Sequence, residues 1–294
     1  MIIDFKPFNF AFKSVLILMM TILLMASIGC SDSDSNEAET NQACDIVGLE
    51  TRSLLSNKLN TKIINGVTCT DIDTSAIVRI AAFVETNEGT IPVPICTGSK
   101  FADNKIITAA HCVTLGDISG NTVSGYGIIS GAVDDLKIIR ASQVATPPGL
   151  RVVEGQYIQD VAILTFTESL PMKSLRLFTP DEAPSQVGET GYVYGYGKRN
   201  EGTTIGEGDD FFTLEAGAMT IESVNNNYVS VLFDGRGTNV CTGDSGGPLI
   251  VLRDNRPTIV GIVSQGTVEG CRAGDNTFFT NLQNQEIKKW IQGQ

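Results

Sequence analysis

The stretch Cys241-Thr242-Gly243-Asp244-Ser245-Gly246-Gly247-Pro248-Leu249 constrains this chain more than any other. An acid and a hydroxyl stand side by side at 244 and 245, among glycines at 243, 246 and 247. Glycine permits positive φ and close backbone approach. A serine held in such a loop can face solvent at a fixed angle. The N–H groups of Gly243 and Ser245 can then converge on the point where an oxyanion would form. A serine hydroxyl is a weak nucleophile without an adjacent base. A glycine-rich hairpin turn with an incidental serine would have the same composition, so the decision rests on whether partners exist elsewhere.

They exist, in a meaningful order. The chain has a single histidine, His111, in Thr108-Ala109-Ala110-His111-Cys112. Asp160 heads Asp160-Val161-Ala162-Ile163-Leu164. His, then Asp, then Ser is one of the orders in which a nucleophile–base–acid triad occurs. The three segments resemble those of the chymotrypsin-like (trypsin-type) serine proteases. The resemblance runs from about residue 63 to the C-terminus.

That resemblance implies the roles. Ser245 attacks the scissile carbonyl, His111 takes its proton, and Asp160 holds the imidazole. Gly243 and Ser245 supply the oxyanion hole. Ser264, in Val263-Ser264-Gln265-Gly266, matches the segment that pairs with substrate backbone, and its hydroxyl is placed to bond Asp160. No metal or organic cofactor is required. The implied activity is that of an endopeptidase acting on protein or peptide substrates through an acyl-enzyme.

The same resemblance locates the substrate pocket. Asn239, six residues before Ser245, stands where trypsin-like members carry an Asp for Lys and Arg. A buried cation facing a neutral floor lacks its ion partner, which is expensive. Gly266 leaves one wall open, and Thr277 stands where deep pockets have Gly. Small or medium uncharged P1 residues are therefore expected. Two departures, Gln265 for Trp and Gly195-Tyr196-Gly197 for Gly-Trp-Gly, are expected to alter the cleft and not the triad.

Two other classes share some of these features. A protease-like binding protein would usually show a replaced Ser, His or Asp, and none is replaced here. An α/β-hydrolase esterase would use a Gly-x-Ser-x-Gly elbow, which residues 243–247 formally match. It also needs a histidine after the serine, and none follows Ser245.

Composition limits the rest. The 294 residues are 42% hydrophobic and 18% charged, which suits a globular chain. The net charge of −12 makes nucleic acid a poor partner. Residues 1–29 read as a signal peptide: Lys6 and Lys13 precede an apolar run from Val15 to Ile28, too short to span a bilayer comfortably. Ala26-Ser27-Ile28-Gly29-Cys30 resembles a bacterial lipoprotein box, with Cys30 lipidated and Ser27 departing from the usual Leu. Ser31 after the Cys leans toward the outer membrane, leaving an exported protein that is secreted, periplasmic or lipid-anchored. Residues 30–62 read as tether and propeptide. Ser31–Gln42 carries no aliphatic side chain larger than Ala and is expected to be solvated.

Lys62-Ile63-Ile64-Asn65-Gly66 resembles the family's activation site. Cleavage after Lys62 by another protease would expose an aliphatic N-terminus whose ammonium is expected to meet Asp244. No second histidine exists to latch Asp244 beforehand. Seven cysteines leave six once Cys30 is set aside, enough for three bridges. The resemblance pairs Cys96 with Cys112 and Cys241 with Cys271. Cys44 and Cys69 then remain, and would tie the propeptide to the enzyme.

From residue 63 onward, short apolar runs alternate with Gly, Pro, Asn and Asp clusters, an all-β pattern. Runs are read at 77–84, 105–108, 126–130, 136–139, 161–166, 191–196, 218–221, 228–233, 249–252, 259–264 and 277–280. The resemblance makes this two antiparallel six-stranded barrels, about 63–171 and 172–282. A helix over 283–294 follows, with Ile287, Trp290 and Ile291 on one face.

Overall fold

The computed structural model describes residues 33–51, 63–70, 72–131, 135–179, 181–197, 213–268 and 271–294. Residues 1–29, read above as a signal peptide, Cys30 and Lys62 lie outside the described residues. Two curled β-sheets make up the body, as expected of a chymotrypsin-like chain. The first joins eight strands between Ile77 and Thr165. The second joins nine, from Glu215–Thr220 and its neighbours on either side. Each exceeds six because short ladders such as Asp117–Ile118 and Ser223–Val224 extend the edges. One pairing is parallel rather than antiparallel, Arg176–Leu177 against Thr258–Ile259.

The expected strands are present, with one substantial addition. Gly89–Ala102 is a single strand, although Pro92, Pro94 and Gly98 read as breakers. It pairs along its length with Ile77–Thr86, while only residues from Ser99 onward also pair with Lys105–Thr108. Residues 89–95 thus have one described neighbour, and an edge tolerates the missing proline N–H.

The chain order and the sheet order part company at the start. Val67–Thr68 pairs with Ala216 and Glu215 and so belongs to the second sheet, not the first. The turn before it is closed by Gly66 N–H donating to Ile63 O (2.8 Å). A Cβ at Gly66 would lie 2.6 Å from Ala216 O, so this close approach needs glycine. Ile63 is fully buried with Val193, Met219, Val240 and Phe279. Burial of such a side chain is worth about 1.5–3 kcal/mol.

The expected solvated tether over 31–42 is corrected in part. Ser33–Ile46 is an α-helix (α1), and Thr40, Ala43 and Cys44 are buried. The polar composition is offset by specific partners. Tyr194 donates its hydroxyl to Ala43 O (2.6 Å), Ala218 N–H donates to Thr40 Oγ1 (3.1 Å), and Cys44 is bridged to Cys69. Gly48, at φ +72°, ends the helix in the left-handed conformation, with Leu49 N–H returning to Cys44 O. The C-terminal helix, Gln285–Gln292 (α2), starts where Asn284 accepts from the N–H groups of Glu286 and Ile287. Ile287 is its buried anchor, with Trp290 and Ile291 packed alongside. Among the described residues, no helix is long and apolar enough to cross a membrane.

Candidate active site

The first sheet carries the candidate base, His111. Lys105–Thr108 leads into a short 3-10 turn, Ala110–Val113, that presents His111. The antiparallel neighbour Ala162–Thr165 begins just after Asp160. The two segments therefore meet at matching ends, and Asp160 lies beneath the histidine. His111 Nδ1 is 2.7 Å from Asp160 Oδ2, and the His111 backbone N–H donates to Asp160 Oδ1 at 2.9 Å. Ser264 reaches across from the second sheet and donates its hydroxyl to Asp160 Oδ2 at 2.6 Å.

Asp160 is fully buried. Burial pushes its carboxyl up, but the hydrogen bond and charge of His111, with the Ser264 hydroxyl, outweigh that and hold it below the ordinary aspartate range. Thr280 Oγ1 donates to the Asp160 carbonyl at 2.9 Å, anchoring the backbone as well. The imidazole is thus oriented through one nitrogen and leaves Nε2 for chemistry.

The loop of Ser245, the candidate nucleophile, is tied to the His111 loop through residues 96 and 97. Cys96 is bridged to Cys112, next to His111. Thr97 N–H donates to Ser245 O at 2.8 Å, and Thr97 Oγ1 donates to Gly243 O at 3.1 Å. Gly243 and Gly246 adopt φ of +96° and +80°. Among the described residues, neither the Gly243 nor the Ser245 N–H donates to a carbonyl of the protein.

Asp244 is buried behind this loop. It accepts from Gly197 N–H (2.8 Å) and Cys241 N–H (2.8 Å). A Cβ at Gly195 would fall 1.9 Å from Asp244 Oδ1, which explains the Gly-Tyr-Gly segment. Tyr196 itself is a correction. It does not line the cleft but is buried, with the Arg79 guanidinium 5.0 Å from its ring centroid. In the continuous chain the Ile63 nitrogen donates to Glu215 Oε2 at 2.9 Å, beside the Val67–Thr68 ladder to the Glu215 strand.

A pocket opens beside Ser245, lined by Cys241, Gly266, Thr277 and Asp275 among others. Asn239 is fully buried beneath it. Its Oδ1 accepts from Thr277 Oγ1 (3.0 Å), and its Nδ2 donates to Asp275 Oδ2 (3.0 Å) and Cys271 O (3.2 Å). Cys241–Cys271 closes the side. Sequence reasoning missed Asp275, since it lies off the family motif positions. Its Oδ1 accepts from the N–H groups of Thr267 (2.7 Å) and Val268 (3.0 Å). Gln265 reaches out to accept from Tyr157 N–H (3.0 Å), and the Tyr157 ring lies 5.3 Å from that of His111. Tyr157, on the hairpin of Arg151–Val153 and Gln156–Ile158, was also unmarked in the sequence.

Donor atoms of Cys96, His111 and Cys112 lie within 4.8 Å of one another. The two sulfurs are bonded together, so they cannot act as thiolate ligands. The arrangement is of the kind that can do acyl transfer: a serine in a glycine-rich loop, an imidazole oriented through Nδ1 and a buried carboxylate beneath it.

The family model described as Trypsin matches residues 63–291. The chain belongs to the trypsin family. It is 28% identical over 188 residues to "Trypsin" of Saccharopolyspora erythraea, covering 60% of this chain and 76% of that one. It is 38% identical over 209 residues to "Serine protease 1" of Drosophila melanogaster, covering 64% and 71%. Against "CLIP domain-containing serine protease B4" of Anopheles gambiae it is 25% identical over 227 residues, covering 67% of this chain and 61% of that protein. It thus spans less than two thirds of the mosquito protease.

Proposed function

We propose that this trypsin-family chain is a serine endopeptidase, with Ser245 as nucleophile, His111 as base and Asp160 as its orienting acid. The observation that carries the reading is the 2.7 Å bond from His111 Nδ1 to the buried Asp160 carboxylate. In the reaction, Ser245 Oγ bonds to the scissile carbonyl carbon as its proton passes to His111 Nε2. The carbonyl oxygen takes the negative charge and meets the Gly243 and Ser245 N–H groups. One such donor is worth about 2.7–4 kcal/mol in comparable enzymes. Collapse expels the amine, which leaves with the proton from His111. Water then repeats the cycle on the acyl-enzyme.

The substrates we propose are proteins or peptides whose P1 side chain enters the pocket above Asn239. Asn239 alone argues for an uncharged P1. Asp275 reverses that balance, because it brings a buried carboxylate to the same pocket. A basic side chain would supply its counter-charge.

We further propose export, with residues 1–29 removed, Cys30 lipidated, and another protease activating the chain between Lys62 and Ile63. The helix α1 and the Cys44–Cys69 bridge would keep the propeptide attached afterwards.

A fluorophosphonate probe tests the reading. Covalent labelling of Ser245, strengthened after added trypsin cuts at Lys62 and abolished in His111→Ala, is the expected result. A folded, cut protein that takes no label would overturn it.

A further inference from the structure

We propose that Gln159 and Glu286 form a lock on the turn that carries Asp160, and so position its carboxylate under His111. The inference deepens the endopeptidase reading and rests on the role given there to Asp160.

The starting observation is a strained residue. Gln159 stands in the left-handed region, at φ +56°, immediately before Asp160. That region suits glycine and, less well, asparagine or aspartate; glutamine is uncommon there. Such a conformation persists only where the surroundings over-determine it, and it collects at functional sites. The turn is closed by Val161 N–H donating to Gln159 O at 2.9 Å. It carries the chain from the Gln156–Ile158 strand into the Ala162–Thr165 strand, with Asp160 on the bend.

What holds Gln159 there is on its side chain. The residue is buried, and its Nε2 donates to Glu286 Oε2 at 2.5 Å. Hydrogen bonds to an ionised carboxylate are the strong ones. The carboxamide packs on Gly149, where an added Cβ would fall 2.3 Å from Gln159 Oε1 and 2.7 Å from its Nε2. Glu286 is itself held in place, in the first turn of α2. Asn284 Oδ1 accepts from its N–H at 2.8 Å, and Asn284 Nδ2 donates to Asn226 O at 2.9 Å.

The consequence follows the backbone. Thr280 already bonds the Asp160 carbonyl. The segment from Thr280 to Glu286 therefore grips the acid on both sides, through its own carbonyl and through the residue before it. Without the Glu286 bond, the strained turn is free to relax, and the peptide entering Asp160 rotates with it. The bonds from the Asp160 carboxylate to the His111 ring and backbone N–H would then loosen. Gln159 and Glu286 touch neither substrate nor the reacting atoms; they are positioning residues. Their loss should slow the chemical step more than it weakens substrate binding.

The test compares wild type, Glu286→Ala, Glu286→Gln and Gln159→Gly. His111 is the only histidine, so isotope-labelled histidine gives a single imidazole in magnetic resonance spectra. Its Nδ1 proton should be protected from exchange with water in wild type and in Glu286→Gln, which keeps an acceptor oxygen. In Glu286→Ala it should exchange about tenfold faster. With a peptide substrate, Glu286→Ala should lose about tenfold in kcat at nearly constant KM, and Glu286→Gln should keep most of the wild-type kcat. Gln159→Gly accepts the left-handed φ without strain, so it should stay folded by thermal melting and still lose kcat. A merely structural role would make activity follow stability instead. Glu286 is solvent-exposed, so its variants decide the matter if Gln159→Gly does not fold. Wild-type kcat or wild-type proton exchange in folded Glu286→Ala would overturn the inference. A wild type that takes no fluorophosphonate would remove the endopeptidase reading, and proton exchange would still decide whether the lock positions Asp160.

Discussion

Asn239 donates its side-chain N–H to the carboxylate of Asp275 at 3.0 Å, so the floor of the pocket carries a negative charge that Asn239 itself lacks. The charge comes from the chain segment after Cys271, not from the segment before Ser245. Three further donors, the N–H groups of Thr267 and Val268 and the Thr267 hydroxyl, stabilise it without neutralising it. Peptide-library profiling is expected to return Lys or Arg at P1. Asp275→Asn should lower kcat/KM for such substrates by at least about tenfold, the scale of one charged hydrogen bond, and leave uncharged ones nearly unchanged. A library dominated by small uncharged P1 residues in the wild type would refute this.

Ser264 tunes the acid. Its hydroxyl supports the ionised form of Asp160, whose folded pKa is depressed. Such a group stabilises the fold above its unfolded pKa of about 3.9, and that stabilisation is lost as pH falls through the folded value. Ser264→Ala removes one donor and should raise the folded pKa. Thermal melts from about pH 5 downward should then show a smaller loss of stability than in wild type, complete at a higher pH. Superimposable acid profiles would show that the hydroxyl contributes nothing.

Gly246 is the least replaceable residue of the nucleophile loop. Its φ is +80°, and an added Cβ would lie 2.1 Å from Thr108 Oγ1 and 2.3 Å from Thr97 O. The two sheets meet there with no room for a methyl group. Gly246→Ala should cost at least about 1–3 kcal/mol from the backbone alone and shift Ser245 away from His111. Denaturant unfolding and fluorophosphonate labelling would report the two effects separately. A variant with wild-type stability would contradict the geometry.

Much of this site was legible because its chemistry is written in contiguous motifs. His111, Asp160 and Ser245 each sit inside a short segment whose neighbours are equally constrained. The strand at Gly89–Ala102 was hidden because Pro92 and Pro94 signal interruption, and only the sheet shows that residues 89–95 pair on one side alone among the described residues. Asp275 and Glu215 were hidden for a different reason. Each meets a partner far away in sequence, Ile63 for Glu215 and Asn239 for Asp275, and nothing in the local residues marks a buried carboxylate. The α1 helix was missed because composition measures average burial, whereas Thr40 and Ala43 are held by individual hydrogen bonds and a nearby disulfide.

The α1 segment supplies the last prediction. Its Thr40 hydroxyl lies 3.3 Å from that of Thr238, the residue beside Asn239, and accepts from Ala218 N–H. Were the chain cut at Lys62, Cys44–Cys69 would be the one covalent link among the described residues that joins it to the rest of the protein. Mass should therefore be unchanged on a non-reducing gel, and a small fragment should appear on reduction. A Cys44→Ser, Cys69→Ser double variant should release the segment on cutting, with a stability loss of about 2–4 kcal/mol. Release would also expose the Ala218 strand and remove the support of Thr238, so KM should rise while the fluorophosphonate still labels Ser245. If the freed enzyme kept wild-type stability and KM, the helix would be only a remnant of the precursor, and its buried hydrogen bonds would carry no weight in the mature fold.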